Sequence, residues 1–174
     1  MRSKPITGFF IPALLVGAMV LALTGCTQWT EEQRKRQSLP DYSFEAWDGR
    51  VLNREDLKEG TPLTVFYYDP DCAHCEGTLE SIAASLDKFG RNALMIISAG
   101  DRDRFIIAMM KHQLLRRQGV MVGVCAPKDF LDTFGTTQTP TTLFYGGDWD
   151  LKRAYKGAMS LRMVEEGLAA AAGE

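Results

Sequence analysis

Six consecutive strand-forming residues, Leu63-Thr64-Val65-Phe66-Tyr67-Tyr68, run into Asp69-Pro70-Asp71-Cys72-Ala73-His74-Cys75. An amphipathic pattern follows at once, with Leu79, Ile82, Ala83, Leu86 and Phe89 on one face of a helix. β-Branched and aromatic residues make the first run a buried strand. A Cys-x-x-Cys pair therefore stands where a strand ends and a helix begins. Unpaired amides and the helix dipole favour negative charge there, so the spacing predicts a thiolate at Cys72. Cys75, one turn on, is placed to close a disulfide with it. We read Cys72 as the nucleophile and Cys75 as the resolving thiol. The same pair could be half of a four-cysteine zinc site or a structural disulfide. A chain with no second Cys-x-x-Cys and two histidines is poorly supplied for zinc.

A chain of 174 residues is long enough for one domain with a proper core. Its net charge of −2 offers no basic surface for nucleic acid. Residues 1–25 read as a leader: Arg2 and Lys4, an apolar stretch from Phe9 to Leu23 broken by Pro12, then Leu23-Thr24-Gly25-Cys26. This resembles a bacterial lipoprotein signal, and the resemblance implies cleavage before Cys26 and lipidation of that residue. The expected location is extracytoplasmic, lipid-anchored to a bacterial membrane and facing the periplasm, where disulfides persist. Residues 26–38 read as the lipidated cysteine and a polar tether, whose dozen residues reach at most roughly 40 Å. Cys125, in the apolar run Val120-Met121-Val122-Gly123-Val124-Cys125, reads as a buried inert thiol.

The domain is expected over residues 39–174. Tyr42, Phe44 and Ala46 alternate with polar residues before the turn at Asp48-Gly49, which signals a hairpin. Asn53 caps one helical turn. Ala93-Leu94-Met95-Ile96-Ile97-Ser98 reads as a strand covered on both faces. Asp101 opens a helix expected to reach Arg117, with Phe105, Ile106, Met109, Met110 and Leu114 inside, His112 on the polar side and Gly119 as the stop. A strand at residues 120–124, a short helix from Pro127 to Gly135, a hairpin over residues 141–155 and a final helix capped by Ser160 complete an α/β fold with a mixed sheet.

This order of elements resembles the thioredoxin superfamily, and within it the extracytoplasmic thiol–disulfide oxidoreductases of the TlpA/ResA type. The likeness rests on Pro40-Asp41-Tyr42-Ser43-Phe44 through Leu57, on the segment around Cys72 and Cys75, and on Thr139-Pro140-Thr141. It implies a thioredoxin-like fold: a central mixed β-sheet flanked by helices, with an N-terminal β-hairpin and an inserted helix–strand. It also implies that Pro140 is cis and that Thr139 docks the substrate chain beside the cysteines. Ala73-His74 replaces the family's usual dipeptides, and a protonated His74 would favour the Cys72 thiolate and a more oxidising disulfide. Asp69 and Asp71, standing where the family has a tryptophan nearby, oppose that thiolate. Glu76 and Glu80 read as a solvated helix face, with proton transfer to Cys75 as the alternative.

The resulting expectation is a membrane-anchored oxidoreductase acting on the thiols and disulfides of exported proteins. It requires no cofactor and no metal, and a donor or acceptor of electrons in the membrane is a candidate partner. Two other readings share the fold. A peroxiredoxin-like peroxidase normally has Thr or Ser three residues before its reactive cysteine, where this chain has Asp69. A copper-binding or scaffold module would use the thiolate pair, but the related copper proteins add a distal histidine, and no histidine follows His112.

Overall fold

In the computed structural model, which describes residues 37–173, seven strands form one mixed sheet. They are β1 (Ser43–Ala46), β2 (Val51–Asn53), β3 (Leu63–Tyr68), β4 (Ala93–Ser98), β5 (Val120–Val124), β6 (Thr141–Tyr145) and β7 (Leu151–Lys156), in the spatial order β2-β1-β5-β4-β3-β6-β7. β3, β4 and β5 run parallel, and the hairpins β1–β2 and β6–β7 extend the sheet antiparallel on either side. The helices are α1 (Ala73–Ala84), α2 (Arg102–Lys111), α3 (Pro127–Phe134) and α4 (Leu161–Ala172), with single 3-10 turns at Arg54–Asp56 and Leu86–Lys88. The proposed leader, Cys26 and all but the last two tether residues lie outside the described part. Those two, Gln37 and Ser38, join the sheet: Ser38 bridges to Asp150, and the Leu151 amide donates to the Gln37 carbonyl at 2.5 Å.

The central strands carry apolar residues without interruption because both of their faces are covered. Phe66, Tyr68, Leu94 and Ile96 pack against Leu79 and Ile82 of α1, Phe105 and Met109 of α2, and Val164 and Leu168 of α4. Val65, Tyr67, Met95 and Ile97 face the other way, onto Phe130 of α3 and the β1 hairpin residues Phe44 and Leu52. On that side the Tyr67 and Phe130 rings stack with centroids 3.8 Å apart. A Cβ on Gly167 of α4 would lie 2.4 Å from the Phe144 ring, so its absence sets how closely α4 approaches β6.

Two helices end earlier than their apolar periodicity predicts. α1 stops at Ala84, and the Ser85 hydroxyl turns back to the Ser81 carbonyl at 2.8 Å before the chain tightens into 3-10 geometry. α2 stops at Lys111 and not near Arg117. Gln113 adopts φ 57°, the Leu114 amide bonds back to the Met109 carbonyl at 2.9 Å, and the Gln113 amide to that of Met110 at 3.0 Å. This is a Schellman closure with glutamine where glycine is usual. The inward turn of Leu114, which is wholly buried, accompanies it. Met110, expected inside, is exposed.

Candidate active site around the cysteine pair

β3 delivers the chain to the end of the sheet at Tyr68, and α1 starts five residues later. Asp69-Pro70-Asp71 makes the connection. The Asp69 side chain accepts the Asp71 amide at 2.8 Å, and its carbonyl accepts the Cys72 amide at 3.1 Å. Gly100, after β4, lets this loop settle: a Cβ there would come within 2.6 Å of the Pro70 ring. Arg104 of α2 donates to the Asp71 carboxylate and, at 3.4 Å, to the Pro70 carbonyl. The negative charge that the sequence sets before Cys72 thus arrives partnered.

Cys72 is the N-cap of α1 and half-buried, while Cys75 in the first turn has no exposed surface. Neither is bridged, and the two thiols lie close together. Burial, then the neighbouring Cys72 thiol, pushes the Cys75 thiol up to about 12. Across from them, the Thr139–Pro140 peptide is cis, and the Thr139 carbonyl lies 3.9 Å from the Cys72 Sγ. Pro140 is buried beneath this contact.

His74 is exposed on the outer side of α1. The histidine held against a carboxylate is another one, His112, whose side chain is only 12% exposed. Its Nε2 lies 3.2 Å from Glu76 Oε1. Lys111 Nζ donates to the same oxygen at 2.5 Å, and the Tyr68 hydroxyl to Oε2 at 3.2 Å. Glu76 is therefore not a solvated residue: its side chain is 35% exposed and three side chains converge on it. The Lys111 bond holds its carboxyl below the usual range. Burial, then Glu76, pushes the Tyr68 hydroxyl up. Glu80 is exposed. None of Arg104, Lys111 or His112 is adjacent to the cysteines in sequence, and the reading of His112 as a polar-side helix residue gave no hint of them.

Cys125 lies just past β5, its amide bonded to the Ser98 carbonyl at 3.0 Å. It is half-buried, and burial with the nearby Asp129 pushes its thiol up to about 11. Among the described residues no three His, Cys, Asp or Glu side chains are grouped to hold a metal ion, and no helix is long and apolar enough to cross a membrane.

Solved structures share this fold. DsbF of Mycobacterium tuberculosis, seen in mixed oxidized and reduced forms, matches with a TM-score of 0.65 at 18% identity, over 75% of this chain and 94% of that one. The chain has the thioredoxin fold. A thioredoxin-family thiol:disulfide interchange protein of Chlorobium tepidum matches with a TM-score of 0.66 at 14% identity, over 78% of this chain and 95% of that one. An exposed lipoprotein thioredoxin of Streptococcus pneumoniae gives 0.58 at 17%, over 74% and 97%. No family model and no curated protein matches the chain. Within the thioredoxin fold the cysteines here occupy the first turn of the helix that follows a central strand.

Proposed function

We propose that the chain is a thiol–disulfide oxidoreductase of exported proteins, with Cys72 as nucleophile and Cys75 as resolving thiol. The observation that carries the reading is the asymmetry of the pair: Cys72 is reachable at a helix N-terminus, and Cys75 is sealed behind it within bonding reach. In the reducing direction the Cys72 thiolate attacks one sulfur of a substrate disulfide and expels the other as a thiolate. Cys75 then loses its proton, and its sulfur attacks Cys72 and releases the second substrate thiolate. Two electrons pass to the substrate and the Cys72–Cys75 disulfide forms. Run backwards, the same steps oxidise a dithiol. Thr139 and Pro140 form the ledge on which the substrate chain docks. His74, exposed in the first turn of α1, favours the Cys72 thiolate when protonated, and so favours the reduced pair and makes its disulfide a stronger oxidant.

The leader reading supplies the setting: lipidation at Cys26 and a tether to residue 36 on an extracytoplasmic membrane face. Structural neighbours described as a secreted disulfide oxidoreductase and an exposed lipoprotein support that setting. The test is the reduction potential of the pair in glutathione or dithiothreitol buffers. A value near or below about −250 mV makes the protein a reductase that draws electrons through the membrane, and about −120 to −180 mV makes it an oxidant or isomerase. A pair that forms no disulfide in any buffer overturns the proposal.

A further inference from the structure

Two acids flank the cysteine pair, Asp71 immediately before Cys72 and Glu76 immediately after Cys75. Both would oppose a thiolate. Glu76 stands four residues after Cys72, on the same side of α1 one turn in. Each acid meets a cation from α2, Arg104 on Asp71 and Lys111 on Glu76, and His112 also reaches Glu76. The two contacts span the helix, from its first turn to its last residue. Exposed ion pairs of this kind add little to folding stability. Because their acids are the residues next to the two cysteines, the pairs have another effect open to them.

We infer that α2 is a charge-compensating brace for the redox pair, with Arg104 and Lys111 as positioning residues that keep the Cys72 thiolate accessible by neutralising Asp71 and Glu76. This rests on the oxidoreductase reading and deepens it. The other charged and titratable groups nearby are Asp69 in the loop, His74 and Glu80 exposed on α1, Tyr68 at the end of β3 and His112 after α2. Of these, Tyr68 and His112 bond to Glu76 itself, so they fix the carboxylate in place while Lys111 answers its charge.

The experiment follows thiolate absorbance near 240 nm against pH in the reduced chain. Lys111→Met and Arg104→Met should each move the midpoint of the first thiol to ionise upward by about half a pH unit, roughly a threefold loss of thiolate at a fixed lower pH. Arg104→Lys should leave it in place. The deciding variant removes acid and cation together: Glu76→Gln with Lys111→Met should return the midpoint to the wild-type value. If neither methionine substitution moves the midpoint, or if the double variant stays as far displaced as Lys111→Met alone, the inference is overturned. Disulfide formation in redox buffer is read separately. A pair that closes but ignores the substitutions overturns only the brace. Midpoints that shift in a chain whose pair never closes support the brace and overturn the oxidoreductase.

Discussion

At the level of single residues, the two cysteines differ in access more than in chemistry. Cys75 has no exposed surface, so iodoacetamide at neutral pH should label Cys72 and leave Cys75 intact in the reduced chain, as peptide mass mapping would read. Cys75→Ser should hold a mixed disulfide between Cys72 and a substrate, whereas Cys72→Ser should capture none. The buried thiols also set a pH dependence. Cys75 and Cys125 ionise near 12 and 11 in the fold and near 9 when free, so the folded state keeps protons that the unfolded state gives up. The stability they contribute is intact below about pH 9 and is lost as pH rises through 11 to 12. Urea midpoints of the reduced chain should fall over that window, and Cys75→Ala should flatten the fall. The pair was legible in the sequence because strand, cysteines and helix are contiguous. Lys111 and His112 were not, because 35 and 36 residues separate them from the glutamate they meet.

Among the elements, the sequence marked every strand, since runs such as Ala93–Ser98 have no reason to be apolar throughout unless both faces are covered. It misjudged where helices stop. Periodicity continues through Leu86 and Leu114 because both chains keep burying apolar groups after their helices have ended. A non-glycine residue in the left-handed region is the clearest case, as at Gln113. Gln113→Gly should relieve that backbone and raise the urea-derived stability by about 0.5–1 kcal/mol, less than the full left-handed penalty because glycine also frees the unfolded chain. At the α4–β6 contact the sign reverses. Gly167→Ala drives a methyl into the Phe144 ring and should cost about 1–3 kcal/mol in the same measurement, with redox potential unchanged.

Across the whole molecule, the parallel strands carry the cysteines to one end of the sheet, and a cleft of about 770 Å3 lined by Leu57, Phe89, Asn92 and Arg117 lies at the other. The edge strand β7 exposes Lys152, Arg153 and Lys156, charges that discourage a second chain from pairing there. A chain shortened to begin at Gln37 should keep the fold, and one begun at Asp41 should lose the pairing with Trp149 and Leu151 and unfold at lower urea. Register fixes where that pairing lies. Leu63 pairs with Tyr145 and Tyr145 with Leu151, so Asp150, the partner of Ser38, is level with the start of β3, about 20 Å along the strand direction from Cys72. Gln37 therefore enters the fold at the end of the sheet opposite the cysteines. The first described residues and the sulfurs are thus at opposite poles of the sheet, and a partner can reach the pair without meeting the segment where the chain enters the fold.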